Sequence, residues 1–157
     1  MSIESTPNIH PTSLLTAPDG VQADIDIDMV PLIKTLWSMG LVTTACCQDF
    51  GEGTEGQRRF REGPPRYGGD AFIEFYRGYA WLKMPTSNAV DLVNALLGTA
   101  FHARVTLRWR PGSWRIHAPL VYESGYGFRM AGSTQIHFPR EEITELVNVL
   151  SERQLRD

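Results

Sequence analysis

Two adjacent cysteines, in the segment 40–49, are the residues of this sequence most suited to chemistry. A bridge between neighbours is strained and joins nothing distant, so Cys46 and Cys47 are expected to be free thiols in a reducing compartment, the cytoplasm. In an extended backbone, successive side chains point to opposite faces. We therefore expect Cys46 in the core and Cys47 toward the next loop, where an arginine or a helix start would make it a nucleophile. The alternative is that both thiols only fill space in the core.

The stretch 49–70 is rich in glycine and arginine and is predicted to be a long loop. Loops of this length in a compact domain are usually functional or disordered. We expect the rim of this loop to hold a ligand. Its candidate binding residues are Gln48, Asp49, Arg58, Arg59 and Arg61.

A second basic surface is predicted on a hairpin at 104–118. Apolar Val105, Leu107 and Trp109 alternate with polar residues before a Pro-Gly-Ser turn, a pattern typical of strands with one buried face. The polar face would bind an anion, and its candidate residues are Arg104, Arg108, Arg110 and Arg115. Nucleic acid is a less favoured partner than a small anion, because the sequence pI is about 5.8 and the tryptophans are expected to be buried.

Three alternating carboxylates, Asp24, Asp26 and Asp28, are the weak candidates for a metal site. In an extended segment they share one side and could hold a hard cation such as Mg²⁺ through oxygen. Asp28 is also placed to cap the following helix, and a solvated strand face is the simpler alternative. The cysteines and histidines show no zinc-binding spacing, so the sequence implies no metal or other cofactor.

The elements that must position these residues follow from the hydrophobic periodicity. Helical spacing predicts three helices, at 29–37, after Ser87, and at 140–151. Extended patterns predict a strand at 41–47, hairpins at 71–84 and 104–118, and a last strand at 128–138. This order predicts an α+β fold in which a mainly antiparallel sheet of about five to six strands is covered by three helices.

A length of 157 residues with 42% hydrophobic content fits a single domain. Residues 1–20 show no periodicity and are predicted to form a flexible N-terminal arm, which leaves 21–157 as the domain. The chain lacks both an apolar run of ~18–20 residues and a targeting pattern, so we expect no membrane association. Acidic residues dominate 1–50 and arginines dominate 100–137, a segregation that would suit a two-fold homodimer.

The cysteine region also carries a resemblance to a known group of sequences. The residues concerned are Leu36, Trp37, Gly40, Thr43, Cys46, Cys47 and Gln48. They resemble a Leu-Trp-x-x-Gly-x-x-Thr-x-x-Ser-Cys-Gln pattern in a family of uncharacterised small α+β proteins of actinobacteria and their mobile elements, with Cys46 in place of the serine. Residues 136–139 are similar to the closing strand of that family. The resemblance implies a fold and a lineage, and no activity.

These observations favour a binding or regulatory module that recognises an anionic small molecule or a protein partner. One alternative is a small enzyme that uses Cys47 as nucleophile or Asp24, Asp26 and Asp28 as a metal site. Another is a nucleic-acid-associated protein that binds through the basic hairpin at 104–115. Whether the protein is an enzyme stays open at this point.

Overall fold

The computed structural model describes residues 9–58, 69–106 and 110–156, with Arg58 described through its backbone alone. Within these ranges the chain forms eight strands and six α-helices. The strands are β1 (Thr12–Thr16), β2 (Gln22–Asp26), β3 (Ala45–Cys47), β4 (Tyr79–Pro85), β5 (Arg115–His117), β6 (Leu120–Glu123), β7 (Gly127–Met130) and β8 (Ser133–Pro139). The helices are α1 (Val30–Ser38), α2 (Phe50–Arg58), α3 (Asp70–Tyr76), α4 (Thr86–Ala95), α5 (Phe101–Thr106) and α6 (Ile143–Gln154). Short 3₁₀ turns, Ile27–Met29 and Arg140–Glu142, lead into α1 and α6.

The central sheet has four antiparallel strands in the order β3-β4-β8-β5. The other strands form two separate hairpins, β1-β2 and β6-β7. The α+β class is therefore confirmed, whereas a single sheet of five to six strands is wrong. In each hairpin a tight turn with a positive-φ glycine, Gly20 or Gly125, pairs the two strands with each other instead of extending the sheet.

The hydrophobic core lies on one face of the central sheet. Alternate residues of β4, namely Ala80, Leu82 and Met84, point into it and are fully buried. Helices α1, α4 and α6 supply the facing side chains, among them Leu36, Leu92 and Leu146. These are the three helices that the periodicity predicts.

The opposite face of the sheet is covered by α2 and α3, where the sequence predicts a loop and a strand. Phe50 of α2 packs on Trp81 of β4, with 4.8 Å between ring centroids, and on His137 of β8, at 5.0 Å. Phe72 and Tyr76, four residues apart on α3, both contact Phe50. The predicted strand at 71–76 is therefore wrong, because a helix places these two aromatic rings on one face.

Helix α2 occupies the first part of the predicted loop at 49–70, in spite of three glycines. A Cβ on Gly51 would lie 2.5 Å from the Arg77 backbone, and one on Gly56 would lie 2.5 Å from the Ile9 side chain. The glycines therefore allow close packing of the helix, where the sequence pattern indicates a flexible loop.

Two further predictions need correction. The predicted strand that starts at Arg104 is wrong, because Phe101 to Thr106 form helix α5, in which Phe101 is buried. The predicted N-terminal arm is wrong for Thr12–Thr16, which form strand β1, while residues 1–8 lie outside the described ranges.

None of the helices in the described residues combines the length and apolar character needed to cross a membrane.

Candidate functional site

The β1-β2 hairpin places His10 beside Asp26. Its turn is closed by the Val21 N–H, which donates to the Asp19 carboxylate at 3.0 Å. The register pairs Thr12 with Asp26, and the Ile27 N–H donates to the Pro11 carbonyl at 2.9 Å, which continues the pairing beyond β1. His10, two residues before β1, therefore lies at the end of β2.

Strand β3 brings the cysteines to the same place. Cys46 pairs with Leu82 and Cys47 with Trp81, so the two thiols lie on opposite faces of the sheet. Cys46 packs against the hydrophobic core, as the alternation predicts. Cys47 lies on the face covered by α2, where its Sγ donates to the Asp49 carbonyl at 3.2 Å.

His10, Asp26 and Cys47 form a compact cluster of three different donor types. The His10 Nδ1 atom lies 3.0 Å from the Asp26 Oδ2 atom and 3.7 Å from the Cys47 Sγ atom. One donor atom from each residue lies within 4.8 Å of the other two. Because Asp26 and Cys47 both face Nδ1, the cluster is not a relay in which an imidazole bridges thiol and carboxylate through its two nitrogens.

Glu52, in the first turn of α2, holds the other side of the imidazole. Its Oε2 atom lies 3.2 Å from His10 Nε2. Both ring nitrogens of His10 therefore face a carboxylate, and a metal ion bound at Nδ1 would take the place of the proton shared with Asp26. A carboxylate on the far nitrogen is the usual companion of a histidine that ligates a metal.

Gln48 and Asp49, two of the predicted binding residues, hold the fold around the cluster. The Gln48 N–H donates to Asp26 Oδ2 at 2.8 Å, and its side-chain oxygen accepts from the Asp28 N–H at 3.1 Å. Asp49 is 2% exposed and caps α2 by accepting from the Glu52 N–H at 3.0 Å. Its second oxygen accepts from the Gly78 N–H at 2.9 Å.

Arg140, at the end of β8, joins the acidic residues around the cluster. Its guanidinium donates to Asp49 Oδ2 at 3.2 Å and to Asp28 Oδ2 at 3.0 Å, and lies 3.6 Å from Glu52 Oε2. One arginine thereby fixes the start of α2 to the end of β2. Asp28, expected as a helix cap or metal ligand, is an ion-pair partner of this arginine.

A cleft of about 200 Å³ opens beside the cluster. Both cysteines border it. Its other lining residues include the carboxylates Asp24 and Asp26 and the aromatic residues Phe50 and Trp81. His10, which is 9% exposed, lies behind this lining. The cleft therefore gives access to the cluster from the side of Asp26 and Cys47.

Both thiols are poor nucleophiles in this setting. Burial, reinforced by the negative charge of Asp26, raises the pKa of Cys46 to about 12. The same causes in the same order raise the pKa of Cys47 well above its ordinary value. Since the thiolate is the attacking species, the geometry does not support Cys47 as an activated nucleophile by itself.

Gly53 of α2 leaves room for the Cys47 sulfur. A Cβ at this position would lie 2.9 Å from Cys47 Sγ and 3.8 Å from the His10 ring. The backbone of α2 therefore closes over the cluster with no side chain between them.

The predicted anion-binding arginines that the structure describes, Arg104, Arg110 and Arg115, do not meet at this site. Arg104 lies on α5 and pairs with Glu145, at 2.8 and 3.1 Å, and with Glu142 at 3.3 Å. The Arg115 guanidinium stacks 3.6 Å from the Phe75 ring centroid. Arg110 is exposed in the turn before β5. The side chain of Arg58, together with Arg59, Arg61 and Arg108, lies outside what the structure describes.

Of the three predicted acidic metal candidates, only Asp26 joins the cluster, while Asp24 lines the neighbouring cleft. His10 and Glu52 are not among the site residues predicted from the sequence. Pro18-Asp19-Gly20 between two extended segments is a strong turn signal, and it would have placed residue 10 beside Asp26. Nothing comparable in the sequence points to Glu52, because its position depends on the unexpected helix α2.

Two donor separations in the cluster are near those of a tetrahedral zinc site. Typical bonds of about 2.0–2.3 Å place the donor atoms of such a site about 3.3–3.8 Å apart. The His10–Cys47 separation of 3.7 Å lies within this range, and the His10–Asp26 separation of 3.0 Å is shorter. Mixed imidazole, carboxylate and thiolate donors suit zinc better than magnesium, which takes oxygen ligands.

Comparison with models of known protein families, with curated proteins and with solved structures finds no match for this chain. The resemblance to small actinobacterial proteins therefore stays a prediction.

Proposed function

We propose that this protein binds a single Zn²⁺ ion through His10 Nδ1, the Asp26 carboxylate and the Cys47 thiolate. The observation that carries this proposal is the convergence of three donor atoms, from three separate chain segments, within 4.8 Å. Glu52 would orient the imidazole from its far side, at 3.2 Å from Nε2. A metal bound here also gives a chemical role to a thiol that burial otherwise keeps protonated.

The surroundings favour a cation over the anionic ligand that the sequence suggests. Asp24 and Asp26 line the cleft, while the described arginines Arg104 and Arg115 are engaged elsewhere by acidic or aromatic side chains. Recognition of an anion, of a protein partner or of nucleic acid, and homodimer formation, stay predictions without a specific contact to support them. Measurement of the molecular size in solution at low and at high salt tests whether the protein forms a homodimer.

Zinc affinity of the metal-free protein tests the proposal directly. Chelator-treated protein is titrated with Zn²⁺ against a chromophoric chelator, and with Co²⁺, whose thiolate charge-transfer absorption reports a bond to sulfur. We expect Cys47→Ser, Asp26→Asn and His10→Gln each to weaken zinc binding by more than about 100-fold, because even outer residues of metal sites account for 10–100-fold. Glu52→Gln should weaken zinc binding about tenfold, because Glu52 orients the His10 imidazole from outside the donor set.

Matched control variants remove a thiol and an imidazole that are not among the three donors of the cluster. Cys46→Ser removes the neighbouring thiol, and His102→Gln removes an exposed imidazole on α5. Both should keep the affinity of the unmodified protein, and circular dichroism should show that all variants are folded. Equal effects of Cys46→Ser and Cys47→Ser would contradict the proposal. So would zinc binding by the unmodified protein that is no tighter than that of the three ligand variants.

A further inference from the structure

The β6-β7 hairpin has one face made of large apolar side chains. Its register pairs Leu120 with Met130 and Tyr122 with Phe128. Because alternate residues of a strand point to the same side, these four side chains share one face of the ribbon. Each is between 57% and 73% exposed, although the rings of Tyr122 and Phe128 contact each other with 5.3 Å between centroids. The part of the chain that the structure describes therefore leaves this face uncovered.

The charged residues of the two strands lie on the opposite face. Val121 pairs with Arg129, and Glu123 pairs with Gly127, so both charged side chains point away from the aromatic rings. The Arg129 guanidinium lies 2.6 Å from the Glu123 carboxylate, and each neutralises the other. Between 120 and 130 the apolar face thus carries no charge that would attract a charged protein or an anionic membrane.

The hairpin needs a further layer to be stable. Among the described strands, β6 and β7 pair with each other and with no third strand. An isolated two-stranded ribbon is marginally stable in water unless something packs on its apolar face. The covering layer must therefore be present wherever the protein is folded. A second copy of the chain meets this condition, because it is always made with the first and carries the same uncharged face.

The area of the face is sufficient for a dimer. A large apolar side chain covers roughly 150–250 Å², so the four side chains expose about 500 Å² on each copy. Tyr126, in the turn of the hairpin, is 86% exposed and adds to this area. Two copies can therefore bury more than about 1,000 Å², the area that separates specific interfaces from incidental contacts. Uncovered apolar patches of this size usually mark an interaction surface.

We propose that this protein forms a two-fold symmetric homodimer in which the apolar faces of two β6-β7 hairpins pack against each other. In such an interface both copies contribute the same residues. Ribbons stacked face to face lie about 10 Å apart, which leaves space for one interdigitated layer of side chains. The contact is apolar, so it differs from a dimer held by the opposite charges of two chain segments. It is also independent of the proposed zinc site, and chelated protein should dimerise equally well.

Sedimentation equilibrium over a concentration series tests the dimer. We expect a mass of about twice the 17.7 kDa of one chain, with a Kd of about 1 µM or tighter, as is usual for interfaces of standard size. Tyr122→Lys places a charge within the apolar face and should weaken the dimer by at least about 100-fold. Leu155→Lys is the matched control, because it makes the same kind of change at a residue that is 88% exposed just after α6. It should leave the Kd unchanged.

Salt distinguishes this dimer from one that depends on charge. Burial of apolar surface is not screened by ions, so the Kd should be unchanged or lower in about 1 M NaCl. Dissociation at that salt concentration would show that opposite charges hold the two copies together, and would overturn the proposal.

Three other outcomes would also overturn it. The first is unmodified protein that is still monomeric at about 100 µM, far above the expected Kd. The second is a dimer that persists in Phe128→Lys as well as in Tyr122→Lys, because the interface would then lie elsewhere. Circular dichroism checks that both variants are folded, and either one alone decides the question if the other does not fold. The third is a monomer that floats with phosphatidylcholine vesicles, which would assign the apolar face to a membrane surface.

Discussion

Gly53→Ala alters the space around the proposed zinc ligand without replacing any ligand. The added Cβ would lie 2.9 Å from Cys47 Sγ, whereas atoms in contact prefer about 3.5–4.0 Å. The sulfur must therefore move by about 0.6–1 Å, which a χ1 rotation of about 30° achieves at a cost of about 0.5–1.5 kcal/mol. Alanine in a helix gains about 0.8–1 kcal/mol over glycine, so the stability of the metal-free protein should change by less than about 1 kcal/mol.

Zinc binding should respond differently from stability. The displaced sulfur can no longer reach the bonding position without strain, and about 0.5–1.5 kcal/mol of strain corresponds to a loss of affinity of about 2- to 12-fold. Urea denaturation of the chelated protein measures the first quantity, and competition with a chromophoric chelator measures the second. Gly51→Ala is the matched contrast, because its Cβ would lie 2.5 Å from the Arg77 backbone, which cannot rotate away. That variant should lower stability. Wild-type zinc affinity in Gly53→Ala would refute the proposed position of the metal.

Three further predictions concern pH and stability. Zinc affinity should rise about tenfold per pH unit between about pH 6 and 8, because burial raises the pKa of the Cys47 thiol and one proton must leave on binding; a flat profile would speak against thiolate ligation. Burial lowers the pKa of His137 from 6.5 to about 3, so stability should fall as pH drops below 6.5, where the unfolded chain binds the proton first, by about 2–3 kcal/mol near pH 4.5. Among the described residues neither buried ring nitrogen of His137 has a hydrogen-bond partner, so His137→Phe should remove this loss and add about 1 kcal/mol at pH 7; denaturation at both pH values checks it, and an unchanged pH profile would show the reasoning to be wrong. Asp49→Ala should cost about 3–5 kcal/mol in urea denaturation, because it removes the cap from the buried start of α2 and the buried carboxylate that pairs with Arg140, and a cost below about 1 kcal/mol would contradict the role assigned to it.

The parts of the fold that follow a clear period could be predicted from the sequence. Helices α1, α4 and α6 each carry an apolar stripe, and the alternation of Cys46 and Cys47 correctly places the two thiols on opposite faces of the sheet, although both border the cleft. In these elements the hydrophobic period of the sequence agrees with burial in the fold, so they can be predicted from a single sequence.

Helix α2 could not be predicted, because its residues form a helix for reasons of packing. Glycines are poor helix formers, yet Gly51 is needed here because the Arg77 backbone comes too close for a side chain, while Gly53 and Gly56 leave room for the side chains of Cys47 and Ile9. Helix α3 was misread because Phe72 and Tyr76 are also typical of strands. The cluster was not predicted either. The position of Glu52 depends on α2, and the position of His10 depends on the β1-β2 hairpin, which was not among the predicted elements.

The connections of Arg140 imply an order of assembly. All three donors of the cluster lie within the first 47 residues, yet the arginine that joins Asp28, Asp49 and Glu52 belongs to the last third of the chain. A ribosome releases the donors long before it releases this arginine. The start of α2 and the carboxylate behind His10 can take their final positions only after β8 has joined the sheet. Metal capture would thus be delayed until synthesis is nearly complete, which limits loading of an immature nascent chain.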